Sequence, residues 1–324
     1  MAFKIDAADL SDMFAVGSSS ITVSEDGADK AFHFSKGNIS FKEGTLRKDL
    51  ILVEGFYHLD DNMLLTGRGD SPLLEMQFNL SSAPIFYKND LNKSEWVSPM
   101  SGNIMFDAEN DEAKIGFKKD VQYHTFDVHL PFSLLMRYEG ESRAIDHFLH
   151  AINKGKSMLF SDHPIPVNPK ILSVIDDIKH CPYTGITRKI YLDAKVHELL
   201  ALIYDRLANQ QEAITLSSYD KERIYHAEQL IRKNINQPHT IFDLSNMVGI
   251  NQTKLKQGFK AIFGATIFAY LQEIRMNKAK QYLLESDLSI QEISLLSGYN
   301  NLSNFSAAFK RTFGYPPTKL RKDG

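Results

Sequence analysis

Thr253, Lys256, Gln257 and Lys260 share one side of a short segment whose other side carries Leu255, Phe259 and Phe263. Ser303, Asn304, Ala307 and Lys310 stand in the same way against Phe305, Phe309 and Phe313. Hydroxyl, amide and ammonium groups gathered like this are donors and acceptors for the edges of bases and for phosphate oxygens. No paired carboxylates and no nucleophile with its base stand among them, as acid–base or covalent catalysis would require. The apolar residues recur every four positions, the period of a helix's inward stripe, so the polar sets face outward.

The elements that carry these faces occur twice. Thr240 to Gly264 and Ser289 to Gly314 superpose with Gly249 over Gly298 and with one extra residue in the second turn. Each copy reads as a helix, a tight turn and a second helix. Ser289 with Glu292 makes a capping box, and Thr240 with Asp243 a weaker version of it. Gly249 and Gly298 follow the short apolar helices at 241–248 and 290–297, where a left-handed residue ends a helix at least cost. Asn251 and Asn301 can cap the helices that follow. A helix–turn–helix whose second helix has a polar outer face is a reader of the DNA major groove. Between the copies, 267–284 forms an amphipathic helix with Tyr270, Leu271, Ile274, Ala279, Leu283 and Leu284 on or near one side. At 1.5 Å per residue it spans roughly 27 Å, a suitable spacer for helices that enter successive major grooves about 34 Å apart. The alternative, two unrelated helical hairpins in an all-helical domain, leaves the repeated capping and turn chemistry unexplained.

At these residues the chain resembles the AraC/XylS family of transcription regulators. The stretches that carry the likeness are Arg275-Met-Asn-Lys-Ala-Lys-Gln-Tyr-Leu-Leu284, Ser289-Ile-Gln-Glu-Ile293, Gly298-Tyr299 and Phe309-Lys-Arg-Thr-Phe-Gly-Tyr-Pro-Pro317. The resemblance covers 219–324. It implies base-reading positions at Thr253, Lys256 and Gln257 in the first recognition helix and at Ser303, Asn304 and Ala307 in the second. Lys254, Lys260, Lys310 and Arg311 complete the expected DNA contacts. Ala307 departs from the family, where a basic residue is common. Alanine offers only apolar contact, for instance to a thymine methyl, so the second helix is expected to position more than it discriminates. Double-stranded promoter DNA and RNA polymerase are the partners the resemblance implies.

Composition agrees. The whole chain carries a formal charge of −3, but 219–324 holds 15 Lys+Arg against 9 Asp+Glu, a net of +6, and the remainder is −9. A basic module on an acidic body is the electrostatic pattern of a DNA-binding domain attached to something else. The N-terminus lacks the sustained apolar core of a signal peptide, and no apolar run is long enough to cross a bilayer. A single cysteine, Cys181, excludes an internal disulfide and suits a reducing compartment. A soluble cytoplasmic protein without membrane partners is expected.

From about Ile39 to Leu130 the chain reads as β, with segments at 50–59, 73–80, 104–106, 114–117 and 123–130 rich in aromatic and branched residues. Turn signals stand at 66–72, 88–90, 101–103 and 110–112, and Gly17-Ser-Ser-Ser20 reads as loop. The pattern suggests a small sandwich or barrel, able to hold one small ligand. After Pro131 helices are expected at 132–137, 142–153, 170–180 and 186–209. The last has more apolar surface than one face hides, which suits packing within the monomer or against a second subunit. The fold class is thus α+β and multidomain: a β-barrel or cupin-like sensor with a helical subdomain, then an all-α domain with two helix–turn–helix motifs. The expected boundaries are 1–165 for the sensor, 166–210 for a helical dimerisation or connecting segment, 211–219 for a linker and 220–324 for the DNA-binding domain.

A narrower resemblance lies in His180-Cys-Pro-Tyr-Thr-Gly185 and the helix after it, together with Glu95-Trp96. These are similar to the siderophore-responsive, PchR-like subgroup of the same family. The likeness implies a small-molecule effector, a ferric siderophore, and activation of genes for its uptake or synthesis. Trp96 is the candidate ligand contact, against the plainer reading of a core tryptophan. His124 and His129, five apart on a strand, point to opposite faces and cannot share a metal. No metal site and no cofactor are expected. Cys181, beside Pro182, reads as a packed turn residue rather than a nucleophile. Two other readings stay open: an enzyme acting through the N-terminal domain, and a regulator whose β domain binds only another protein.

Overall fold

A computed structural model describes residues 3–6, 18–24, 27–34, 36–47, 49–68, 71–88, 95–109, 112–208 and 216–320. The chain divides into two compact units, one of residues 1–167 and 174–209, the other of residues 168–173 and 210–324.

The first unit is built on two sheets. The five-stranded sheet runs β1 (Phe3–Asp6), β6 (Met63–Arg68), β11 (Glu112–Phe117), β8 (Ile85–Lys88), β9 (Glu95–Val97). The nine-stranded sheet runs β13 (Met158–Leu159), β10 (Ser101–Asp107), β7 (Leu73–Asn79), β12 (Gln122–His129), β5 (Leu50–Leu59), β4 (Gly37–Arg47), β3 (Gly27–Phe34), β2 (Ser18–Ser24), with β14 (Ile165–Pro166) also on β10. Among the described residues neither sheet closes on itself, so the β-rich region is a two-sheet arrangement and not a barrel. Between the sheets Ile39, Tyr57, Leu59 and Tyr123 meet Met63, Ile85 and Phe117 in one buried cluster. Tyr57 stacks on Phe117 with ring centroids 4.2 Å apart.

The other face of the large sheet presents Met76, Phe78, Phe126, Val128 and Phe106, all buried. The helices of this unit are α1 (Phe132–Met136), α2 (Arg143–Asn153), the part of α3 (Pro169–Lys179) from Val174 onward, and α4 (Gly185–Ala208). Phe106 meets Phe132 at 5.8 Å. Leu192, Val196, Leu199 and Ile203 form the buried stripe of α4, spaced as one helix face. On this side Glu54 accepts from Lys179 at 2.6 Å and pairs with His124 at 2.8 Å. Burial pushes the Glu54 carboxyl upward, but His124 and Lys179 outweigh it and hold the pKa at about 2. His129 pairs instead with Glu75, at 3.4 Å, on the opposite face as the five-residue spacing requires.

Several turn assignments need correction. Ser101-Gly-Asn103 opens strand β10. A Cβ on Gly102 would come within 2.5 Å of the Gln77 carbonyl oxygen and of Phe78 Cδ1, so the glycine marks close strand approach and not a turn. The chain reverses just before it, where Met100 adopts a φ of 47°. Thr66 to Arg68 belong to β6, paired to β11, and Ser18 to Ser20 belong to β2, paired to β3. In the sheet order β2 is an edge strand. Residues 69–70, 89–90, 110–111 and Gly17 lie outside the described residues.

The second unit contains α5 (Ser218–Lys233), α6 (Ile241–Val248), α7 (Gln252–Phe263), α8 (Ile267–Glu285), α9 (Ile290–Leu296), α10 (Leu302–Phe313) and a final turn at Pro317–Lys319. Phe259, Phe263, Tyr270 and Tyr225 pack ring to ring in its first half. Met276, Ala279, Leu283, Ile293, Phe305, Ala308 and Phe309 fill its second. Tyr270 donates to Glu228 Oε1 at 2.6 Å, which gives that carboxylate, only 1% exposed, a partner it cannot lose cheaply. Leu284, expected on the apolar side of α8, stands 47% exposed. No helix among the described residues is long and apolar enough to cross a membrane.

Candidate nucleic-acid interface

The second helix of each helix–turn–helix, α7 and α10, is started and stopped by the same devices. Asn251 Oδ1 accepts the backbone N–H of Lys254 at 2.8 Å, and Asn301 Oδ1 that of Asn304 at 3.0 Å. Gly264 and Gly314 end the helices with φ of 73° and 81°. The helices before them start on Thr240, which accepts from Asp243 N at 3.1 Å, and on the full capping box of Ser289 and Glu292. Each cap satisfies N–H groups that would otherwise lack a partner.

The faces divide as their residue types dictate. Leu255, Phe259 and Phe263 are buried in α7, as are Phe305 and Phe309 in α10; Phe313 is half-buried. Thr253, Lys254, Lys256, Gln257 and Lys260 are exposed, and so are Ser303, Asn304, Ala307, Lys310 and Arg311. The structure thus brings each set onto one solvent-facing helix surface. Lys254 is already engaged, its Nζ 3.1 Å from Asp220 Oδ1. Asp220 belongs to the capping box of α5 with Ser217. The Ser217 hydrogen bond, then Lys254, hold its carboxyl below the usual range. Trp96 lies in β9 opposite Phe86, but its side chain falls outside the described residues.

A residue with a role that pattern reading missed is Arg275, on α8. Its Nε donates to the Ile235 carbonyl at 2.7 Å and its Nη2 to the Asn236 carbonyl at 3.4 Å. Its guanidinium lies 5.5 Å from the Tyr299 ring centre. A Cβ on Gly298 would sit 2.6 Å from Nη2. Gly298, with φ 78°, therefore serves both the turn and the passage of this arginine. Arg275 ties the loop before the first helix–turn–helix to the turn of the second. Lone arginines inside amphipathic helices are common, so its spacing alone carried no such signal. The α8 rod itself has 19 residues, about 28 Å at 1.5 Å each.

Comparison with known proteins gives two family matches. A helix-turn-helix domain model matches residues 244–323. The model for the regulatory protein PchR N-terminal domain matches residues 37–216, more than half of the 324-residue chain. Regulatory protein PchR of Pseudomonas aeruginosa is 30% identical over 128 residues, 39% of this chain and 43% of that protein. The probable transcriptional regulator LumQ of Photobacterium leiognathi is 26% identical over 151 residues, 40% of this chain and 61% of that protein. The chain thus spans less than two thirds of either relative. A solved AraC-type transcriptional regulator from Chromobacterium violaceum covers 32% of this chain and 94% of its own, at 28% identity and a TM-score of 0.30.

Proposed function

The chain belongs to the AraC-type transcription regulators that carry a PchR N-terminal domain, and on that premise we propose that it binds promoter DNA through α7 and α10 under control of an effector held by its first unit. The observation that carries this reading is the pair of capped helices with exposed polar faces and buried aromatic stripes. Thr253, Lys256 and Gln257 read bases in one groove, and Ser303, Asn304 and Ala307 meet the next. Lys260, Lys310 and Arg311 hold phosphates. Lys254 contributes least, because Asp220 already occupies it.

The effector proposed is a ferric siderophore, on the likeness of the Cys181-Pro-Tyr-Thr-Gly185 stretch, and the genes controlled are those of iron uptake, activated through RNA polymerase in the cytoplasm. In the structure Tyr183 of that stretch packs edge-on against Tyr191 at 5.1 Å, fixing the entry to α4. A second copy of the chain would dock on α4 at Ile186 and Ile190, one turn apart and 70% and 65% exposed. An effector that prefers the DNA-competent arrangement shifts the population by its differential affinity.

The test is a melting series on the full-length chain with ferric siderophores, their iron-free forms and iron alone, paired with operator titrations. A ligand at a hundred times its Kd adds about 2.7 kcal/mol. Stabilisation by one ferric complex, with altered operator affinity, is expected. A flat panel would remove the siderophore, and absence of specific operator binding would remove the DNA reading.

A further inference from the structure

The repeat supplies an internal standard for what each of its outer helix faces can recognise. α7 and α10 have 12 residues each, follow an asparagine cap and end on a glycine in the left-handed region. They therefore match position by position without a gap. Their inward sides agree: Leu255, Gly258 and Phe259 are buried in one, Phe305, Ala308 and Phe309 in the other. Parts of the outer sides agree as well. Thr253 stands over Ser303 and Lys260 over Lys310, a hydroxyl near the start and an ammonium in the last turn.

Two outer positions change chemistry. Gln252, the first residue of α7, is matched by Leu302, and Gln257 by Ala307. All four are exposed, Leu302 by 44%. At both places a carboxamide in the first copy is a hydrocarbon in the second. Packing does not account for the leucine. Tyr299, Phe313 and Tyr315 lean on the buried cluster of this half, while Leu302 stays in the open at the helix start. Capping does not account for it either, since Asn301 supplies the cap and leucine has no polar group to add.

Place in the helix decides what these side chains can meet. A recognition helix presents its N-terminal residues to base edges, and Leu302 and Ala307 both lie in the first half of α10. Five residues at 1.5 Å each separate them by roughly 7.5 Å along the axis. That exceeds one base step of about 3.4 Å, so the two reach different base pairs. Glutamine suits adenine, with which its amide makes two hydrogen bonds, whereas an apolar side chain suits the 5-methyl group of thymine. We infer that α10 reads thymine methyl groups in its half of the operator, through Leu302 at one base pair and Ala307 at another. The inference rests on the proposed DNA reading. It gives α10 a discrimination of its own, by burial of methyl groups in place of hydrogen bonds.

The test uses the full-length chain and a duplex that it selects from a random-sequence pool. Each thymine of that duplex is replaced in turn by uracil, which keeps the base pair and removes only the methyl. Loss of one buried methyl should weaken binding about fourfold, at one or two thymines of a single half-site. In Leu302→Ala the penalty at one of those thymines should vanish, the two duplexes being bound alike. Leu302→Gln, which copies Gln252, should prefer adenine to thymine at that position. Uracil bound as well as thymine throughout, or a penalty that persists unchanged in Leu302→Ala, overturns the inference while the selected sequence upholds the DNA reading. Either result would leave the exposed leucine to a protein partner. A pool that yields no preferred sequence overturns both the inference and the reading beneath it.

Discussion

Single residues set both the proposed reading surface and its alignment. Replacing Lys256 or Gln257 with alanine should weaken binding at one half-site by about 1–3 kcal/mol each, as for a lost side-chain contact to bases. Titration on operators carrying one altered half-site checks this, and wild-type affinity in both variants would sink the assignment of α7. Arg275 acts differently, since it faces the protein interior and not the groove. Arg275→Ala leaves the Ile235 carbonyl without its donor and should cost about 1–3 kcal/mol of stability. Affinity for a complete operator should fall more than affinity for a single half-site. Lysine at that position cannot reproduce the forked contact and should not restore the difference. In the first unit, Glu54 supplies a pH signature. Its carboxyl titrates at about 2 in the folded chain, below the ordinary value of about 4.3 for an unfolded glutamate. The stabilisation is therefore full above pH ~4.3 and is lost as pH falls toward 2. Lys179→Met should abolish most of that acid-side slope in melting measurements between pH 5 and 2. An unchanged slope would show that Glu54 owes little to Lys179.

At the scale of elements, the helical unit was readable because its signals are local. Ser289 caps through Glu292 three residues on, and the Phe305, Phe309, Phe313 stripe is complete within one helix. Ser289→Ala should accordingly lower the stability of this unit by about 1 kcal/mol, seen as a shift in its chemical denaturation midpoint. The strands were less readable because their meaning lies in partners far along the chain. Gly102 looks like a turn residue until β7 is laid beside it and the Gln77 carbonyl fills the space a Cβ would need. Ser18 to Ser20 look like loop until β3 supplies their hydrogen bonds. The same holds for function. The exposed faces of α7 and α10 followed from residue types on one helix. The Arg275 tie required a contact across 40 residues.

For the whole molecule, the exposed Ile186 and Ile190 of α4 form an apolar stripe that self-association would cover. Replacing both with glutamate should convert a dimer to a monomer in sedimentation velocity without lowering the melting temperature, and an unchanged mass would exclude this surface. The charge asymmetry, +6 on 219–324 and −9 elsewhere, makes operator affinity fall with salt as phosphate counterions are released. The repeat has one more consequence. Two recognition helices with different outer faces, Thr253, Lys256 and Gln257 on one and Ser303, Asn304 and Ala307 on the other, are joined in a fixed order by the α8 rod. A symmetric dimer of identical readers is blind to the direction in which it lies on a palindrome. A single copy of this chain is not, because exchanging its two half-sites would present each helix with the other's bases. On the proposed reading, the sequence it recognises has a heading along the duplex, and inverting that site in place should turn the whole protein around relative to the start of transcription.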